Sequence, residues 1–341
     1  MHAKPETPKP AGSSRVSPWR RFMACTSAGP DYDPRFMKPS DSKRDEPVAG
    51  VRTDFRFERC ARLVGAAAMQ RLADARVAVF GLGGVGSYAA EGLARSGVGH
   101  LTAVDFDRVC VTNINRQIQA LTGTVGQSKA ELMRSRMLDI NPRMDVTAFT
   151  EFYNHQSAPH LLDPRPDVVI DCIDNVTAKM HLVARCIEQQ IPVITSLGAG
   201  AKLDPSRVRI VSLMDTHTDP LGRALRKHIR RKHPVTDEQL AGVFAVFSDE
   251  PVRQPITDQE SIVCGVNCVC PGGDNAFHSC KRRHVIYGTM VFVTAVFGMA
   301  AAGAAVKLLL GLDPLSPSEA CDACGAIPGE PPPRRRRNRP G

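Results

Sequence analysis

Between residues 76 and 175, glycines, acids and two cations are spaced in a way that suits the handling of a phosphorylated ligand. Gly81, Gly83 and Gly86 form G-x-G-x-x-G directly after the apolar run 77–80, with Gly84 inside the motif. Glycine lets a backbone turn sharply and approach a phosphate, and a following helix aims its free N–H groups at the anion. Asp105 ends the next apolar run, 101–104. A carboxylate there can accept hydrogen bonds from a ribose hydroxyl. Next comes Val111-Thr-Asn-Ile-Asn-Arg-Gln, in which Asn113 and Asn115 supply amides and Arg116 a planar guanidinium suited to a polyphosphate. Lys129 opens a helical pattern, a place the helix dipole makes unfavourable for a cation. Either an anion docked there offsets that cost or the side chain simply reaches solvent. Asp171 and Asp174 stand at the carboxyl end of the run that starts at Asp167. In an open α/β sheet the ligand crevice lies at that end, so Asp174 is a candidate Mg²⁺ ligand or an orienter of its neighbours.

The elements that must position these groups follow from the apolar pattern. Strand, glycine turn, helix and second strand fill residues 76–105. Further strands are predicted at 146–149, 167–171, 192–196 and 243–248, and an added antiparallel one at 208–213. Helices are predicted at 56–72, 129–140, 176–190 and 219–233. The fold class is α/β: a Rossmann-like, mostly parallel sheet with helices on both faces and an added antiparallel portion. Residues 55–313 form the working domain, 1–54 a disordered N-terminal extension rich in Pro, Ser and basic residues, and 314–341 a disordered Pro/Arg-rich tail.

The chain has 341 residues, a formal charge of +9 and eleven cysteines. Part of the charge is local, in Arg334–Arg337 and Arg339. No long apolar secretory segment opens the sequence, so the cysteines read as reduced thiols of an intracellular, cytoplasmic protein. Lys4, Lys9, Arg15, Arg20 and Arg21 have the character of an organelle transit peptide, but Pro5, Pro8 and Pro10 oppose an amphipathic helix there. Arg56, Arg59 and Arg62 are either a solvated basic face or a phosphate-reaching group donated to a partner subunit. In the helix at 219–233, Leu221, Leu225 and Ile229 make a narrow apolar stripe, while Arg223, Arg226, Lys227, Arg230, Arg231 and Lys232 make a solvated face or meet a polyanion. Cys264, Cys268, Cys270 and Cys280 match no zinc spacing, and Cys321-Asp-Ala-Cys324 is a lone pair. Residues 285–306 carry no charge over a length able to cross a bilayer. Gly298, Gly303 and the alanines between 300 and 305 favour a buried core helix or a dimer interface over membrane attachment.

Taken together, Gly81-x-Gly-Gly-x-Gly86, Asp105-x-Asp107, Asn113-x-x-Arg116-Gln117, Lys129 and Asp171-x-x-Asp174-Asn175 resemble the ThiF/MoeB/HesA superfamily of adenylating enzymes, the ubiquitin-activating type. Within it, the segments 109–121, 243–250 and 288–298 are similar to the tRNA threonylcarbamoyladenosine dehydratase family. The resemblance covers about residues 55–312 and leaves both tails outside. It implies ATP and Mg²⁺ as cofactors and a homodimer. The implied substrate is a tRNA whose adenosine beside the anticodon carries a threonylcarbamoyl group. The carboxylate of that group attacks the α-phosphate of ATP, and the acyl adenylate then cyclises and expels AMP. Carried over by position, Gly81, Gly83, Gly84 and Gly86 cradle the nucleotide and Asp105, with Asp107 beside it, holds the ribose. Asn113 and Gln117 support the phosphates, Arg116 and Lys129 neutralise developing charge, and Asp174 places Mg²⁺ or the carboxylate. Arg59 matches the superfamily's trans-acting arginine loosely, because Arg62 is near. Two departures stand out: a single C-x-x-C pair, and Ala245 where the family often has cysteine. The alternative within the superfamily is an adenylyltransferase acting on the C-terminal glycine of a ubiquitin-like sulfur-carrier protein, with a sulfurtransferase-system protein as partner. An NAD-dependent oxidoreductase shares the glycine turn but has no use for Arg116 and Lys129. A pseudoenzyme does not explain why every polar site position is filled.

Overall fold

A computed structural model describes residues 54–255 and 287–315. The N-terminal extension, the cysteines from Cys264 to Cys280, the pair Cys321 and Cys324 and the arginine tail lie outside the described residues.

Short apolar runs buried on both faces build the centre of the sheet. Strands β1 (Arg76–Phe80), β2 (His100–Val104), β3 (Asp145–Phe149), β4 (Val168–Asp171), β5 (Val193–Ser196), β6 (Val208–Ser212) and β7 (Phe244–Ser248) pair in the order β3-β2-β1-β4-β5-β7-β6. All neighbours are parallel except β6 and β7. Successive strand side chains point to opposite faces. Val77 and Val79 therefore enter one core with Leu101, Ala103 and Ile170, and Ala78 and Phe80 enter the other with Val104 and Val169. With both faces covered, β1 reads as the unbroken apolar run of a doubly buried parallel strand. The first core lies under α2 (Ala66–Asp74), α3 (Gly86–Arg95), α4 (Lys129–Ile140) and α9 (Val291–Leu309). The second lies under α5 (Ala158–Leu161), α6 (Val176–Glu188), α7 (Pro220–Lys232) and α8 (Asp237–Ala241). The strand order reverses between β1 and β4, which opens the crevice where open α/β sheets bind ligands.

Caps set the helix starts. Asn175 Oδ1 accepts from the N–H groups of Thr177 and Ala178, both at 3.0 Å, and Asp219 Oδ1 accepts from Gly222 N–H at 2.8 Å. The predicted helix at 56–72 is broken: a 3₁₀ turn at Phe55–Phe57 leads into α1 (Glu58–Val64), and Gly65 at φ 84° separates it from α2. A left-handed residue cannot continue a right-handed helix.

Helix α9 begins at Val291, later than the sequence suggests, and lies across the sheet. By length and composition it could cross a membrane. One side is instead core: Val293, Phe297, Ala301, Ala304 and Ala305 are buried. A Cβ at Gly298 would lie 2.3 Å from the Val85 carbonyl oxygen, so α9 meets α3 at backbone distance. Phe292, Val296 and Met299 stay exposed on the outer side.

Of the two carboxylates at the end of β4, Asp171 does not reach the crevice. It is fully buried and accepts from Lys179 Nζ at 2.7 Å and from Thr195 Oγ1 at 2.7 Å. Lys179, on α6, also donates to Ser196 O at 2.9 Å. The pair ties α6 to β4 and β5. Removing one partner of a buried ion pair typically costs about 3–5 kcal/mol, whereas replacing both together costs far less. Lys179→Met should therefore lose stability on that scale in urea denaturation, and Lys179→Met with Asp171→Asn should recover most of it.

Candidate functional site

The glycine turn is held at atomic contact. Gly81 has φ 86°, its N–H donates to Val104 O at 2.8 Å, and a Cβ on it would lie 2.7 Å from Cys172 O. A Cβ on Gly86 would lie 1.8 Å from Gly81 O. Helix α3 therefore starts against the Gly81 carbonyl just past β1, and Gly83, Gly84 and Val85, immediately before it, line the crevice. Gln119 Nε2 donates to Leu82 O at 2.7 Å and steadies the turn from behind.

In front of the turn lies a cavity of about 370 Å³. That is within the size range of small-molecule sites. Gly81, Gly83, Gly84, Asp105, Asp107, Asn113, Arg116, Gln117, Lys129 and Asp174 all line it. Gly86 sits beneath the turn and Arg59 is exposed on α1; neither borders the cavity.

Asp105 is nearly buried. Its Oδ2 accepts from Leu82 N–H at 2.6 Å and its Oδ1 from Asp107 N–H at 2.8 Å. These bonds fix the carboxylate's orientation and join β2 to the turn, and a second lone pair on each oxygen remains for a ligand hydroxyl. Burial pushes the Asp105 carboxyl up from its ordinary value, and Lys129 pulls it back.

Lys129 is buried at the first position of α4, and its Nζ donates to Asp107 Oδ2 at 2.8 Å. Burial alone would lower the ammonium's pKa. Asp105 and Asp107 outweigh burial, with Asp174 adding a smaller pull, and hold it above the usual lysine value. The unfavourable dipole position is thus offset by the chain's own carboxylates. The snorkelling alternative fails, because the side chain does not reach solvent.

Asn113 Oδ1 accepts from Cys110 N–H at 3.0 Å, which leaves its amide NH₂ as the group it can offer a ligand. Arg116 Nη1 donates to Thr112 O at 2.8 Å and to Asn115 Oδ1 at 3.0 Å. Asp174 is exposed, and its oxygens make no hydrogen bond or ion pair among the described residues. Burial pushes the thiol of Cys172, also in the lining, up to about 12, which makes it a poor nucleophile at neutral pH. Ala245 lies buried within β7, outside the lining.

Several lining groups were not assigned to the site from the sequence. Phe106 and Phe152 pack edge to face with centroids 5.1 Å apart, as do Phe80 and Tyr153 at 5.1 Å, and these rings give the cavity an apolar side. Thr289 comes from the chain entering α9, Thr294 from the first turns of α9 and Leu221 from the first turn of α7. The sequence signal for the threonines is that both fall in the segment 288–298 that carries the family resemblance, although the resemblance gives neither a role.

Residues 57–324 match the ThiF family. The chain is 39% identical over 254 residues to the tRNA threonylcarbamoyladenosine dehydratase of Bacillus subtilis, covering 74% of this chain and 94% of that protein. Its structure resembles that of the Escherichia coli enzyme TcdA in complex with AMP, with a TM-score of 0.65 at 37% identity over 75% of this chain and 94% of that one. The likeness to the same enzyme in complex with ATP has a TM-score of 0.64. The molybdopterin-synthase adenylyltransferase of Escherichia coli is 36% identical over only 40% of this chain and 53% of its own length.

The contact at Gly86 generates a test. Gly86→Ala should lower Tm clearly, because backbone must move to admit the methyl group. Gly83→Ala meets only Gln117 Nε2 at 3.8 Å and should melt close to wild type. Thermal unfolding followed by circular dichroism compares the two.

Proposed function

The chain belongs to the ThiF family, and from that premise we propose that it carries out ATP-dependent dehydration of threonylcarbamoyladenosine beside the anticodon of tRNA. The observation that carries this reading is the meeting of the glycine turn, Asp105, Arg116, Lys129 and Asp174 around one cavity. The alignment over nearly the whole length of dehydratase relatives selects this reaction within the family. Sulfur-carrier activation is the weaker reading, because the adenylyltransferase relative aligns over less than half of the chain.

In this reading the N–H groups at the start of α3 receive the ATP phosphates and Asp105 receives the ribose. Asn113 and Gln117 direct the polyphosphate. The substrate carboxylate attacks the α-phosphorus and pyrophosphate leaves, giving an acyl adenylate. Arg116 and Lys129 face the negative charge that grows on the phosphoryl oxygens, and preorganised cations of this kind act mainly on the transition state. A nucleophile within the modified nucleoside then closes a ring and expels AMP, so the net change is loss of water. This cyclisation needs no enzyme thiol, in keeping with Ala245 and the inert Cys172.

The donors at the crevice fit Mg²⁺: they are hard carboxylate oxygens. Asp174 would hold it, with Asp107 a further carboxylate in the same lining, and the ion would screen the polyphosphate. Arg59 serves a neighbouring copy's cavity in this scheme. A homodimer would also cover the exposed Phe292, Val296 and Met299 of α9.

Helix α7 is the surface we assign to tRNA. The structure narrows its basic set. Arg226 is directed inward, donating to Leu213 O at 3.0 Å and to Thr216 Oγ1, and burial lowers its pKa. Arg230 donates to Asp237 Oδ1 at 2.7 Å. Arg223, Lys227, Arg231 and Lys232 remain, all exposed, and the first three stand four residues apart on one stripe. The helix starts at the cavity through Leu221.

Two measurements test the reading. Mass spectrometry of nucleosides from tRNA incubated with protein and ATP should show the dehydrated product, and Arg116→Ala should slow its formation by about 10²–10³-fold. Near-normal turnover would remove Arg116 from the mechanism. Replacing Arg223, Lys227 and Arg231 by alanine should flatten the slope of log affinity for tRNA against log salt by about two to three units. ATP binding should be unchanged. Equal slopes would make α7 a solvated face.

A further inference from the structure

The dehydratase reading gives Arg116 a task and leaves its neighbour Asn115 without one. The Asn115 side chain sits between two parts of the site that are 174 residues apart in sequence. Its Nδ2 donates to the Thr289 carbonyl at 3.0 Å and lies 3.4 Å from Thr289 Oγ1. Its Oδ1 accepts from Arg116 Nη1 at 3.0 Å. Arg116 and Thr289 both line the cavity, and Asn115 does not.

Each end of this bridge is fixed by something else. Gly288 O accepts from Ala201 N–H at 2.8 Å, and Ala201 is held at φ 60°. A non-glycine residue keeps that conformation only where its surroundings impose it. At the other end, Arg116 Cγ would lie 3.2 Å from a Cβ placed on Gly84, so the arginine stem crosses the glycine turn. Thr112 O holds the same Nη1 at 2.8 Å. A carboxamide suits the bridging position because one planar group carries a donor for a carbonyl and an acceptor for a guanidinium. Aspartate keeps the acceptor alone, and alanine keeps neither.

We propose that Asn115 is a positioning residue for Arg116: it fastens the guanidinium to the Gly288–Thr289 wall, so that the cation meets the phosphates without reorganising during adenylation. The inference rests on the assignment of Arg116 to that step. Asn115 touches neither ATP nor the carboxylate in this scheme and acts only through its neighbour.

A double-mutant cycle reads this directly. Turnover of threonylcarbamoyladenosine-containing tRNA is measured for wild type, Asn115→Ala, Arg116→Ala and the double variant, with ATP varied. Asn115→Ala should lower kcat by about 10–100-fold and raise KM for ATP, leaving KM for tRNA unchanged. In the Arg116→Ala background it should do nothing further, because residues acting as a unit are not additive. Asn115→Asp should recover part of the loss in kcat. Additive losses in the double variant, or wild-type kinetics in Asn115→Ala, would overturn the proposal. Tm is recorded for all variants, and if Asn115→Ala melts lower, the cycle is run well below every transition. A wild-type protein inactive on this tRNA would sink the dehydratase reading alone. The cycle is then read on ATP affinity, where coupling between the two positions supports the positioning role and additivity ends it.

Discussion

A hydrogen atom is all that the chain tolerates at Gly86, because the carbonyl oxygen of Gly81 occupies the place where a side chain would begin. That contact lets α3 start directly against the end of β1. It sets where the turn formed by Gly83 and Gly84 stands in the lining of the crevice. Gly298 repeats the device one layer out, where α9 meets the first turn of α3 at backbone distance. The cavity is thus walled by elements that approach more closely than ordinary side chains allow, and the packing leaves them little freedom to drift apart.

Electrostatics follow from the same geometry. Because β2 and β4 are parallel to β1 and flank it, their ends present carboxylates to one spot, and Lys129 is the cation that spot requires. Asp105 is turned toward the glycine loop by two N–H donors, Asp107 toward Lys129, and Asp174 toward the open crevice. The three acids therefore differ in what they can do: Asp105 is held in one orientation with lone pairs left for a hydroxyl, Asp107 compensates Lys129, and Asp174 is open to a ligand. A phosphate entering this site meets an ammonium already in place and charged.

The two faces of the sheet divide the work. The face under α3, α4 and α9 builds the phosphate end of the cavity from glycines and small residues. The face under α6 and α7 is steadied by the buried Asp171–Lys179 pair and carries the basic stripe of α7 outward from the cavity. In the proposed reading a tRNA is held on one face while its reacting group is treated in the crevice.

Much of the fold is legible in the residues themselves. Apolar runs of strand length, turn glycines and capping side chains at Ser128, Asn175 and Asp219 act within a few residues, so the order of elements can be read from a linear text. The added antiparallel strand and the helix from Pro220 follow from the same local rules, and the break at Gly65 has a local cause that the apolar pattern alone conceals. Charges behave otherwise. Asp171 and Asp174 look alike at the end of one strand, yet one is sealed against Lys179 and the other faces the crevice. Arg226 looks like its neighbours on α7, yet it turns inward to Leu213. Thr289 joins the site from far along the chain, and one side of the apolar helix ending at Leu309 is buried because α3 and the sheet pack against it. Local sequence determines which element a residue belongs to; its partner, burial and ionisation depend on what packs across from it, and that is decided only when distant segments meet.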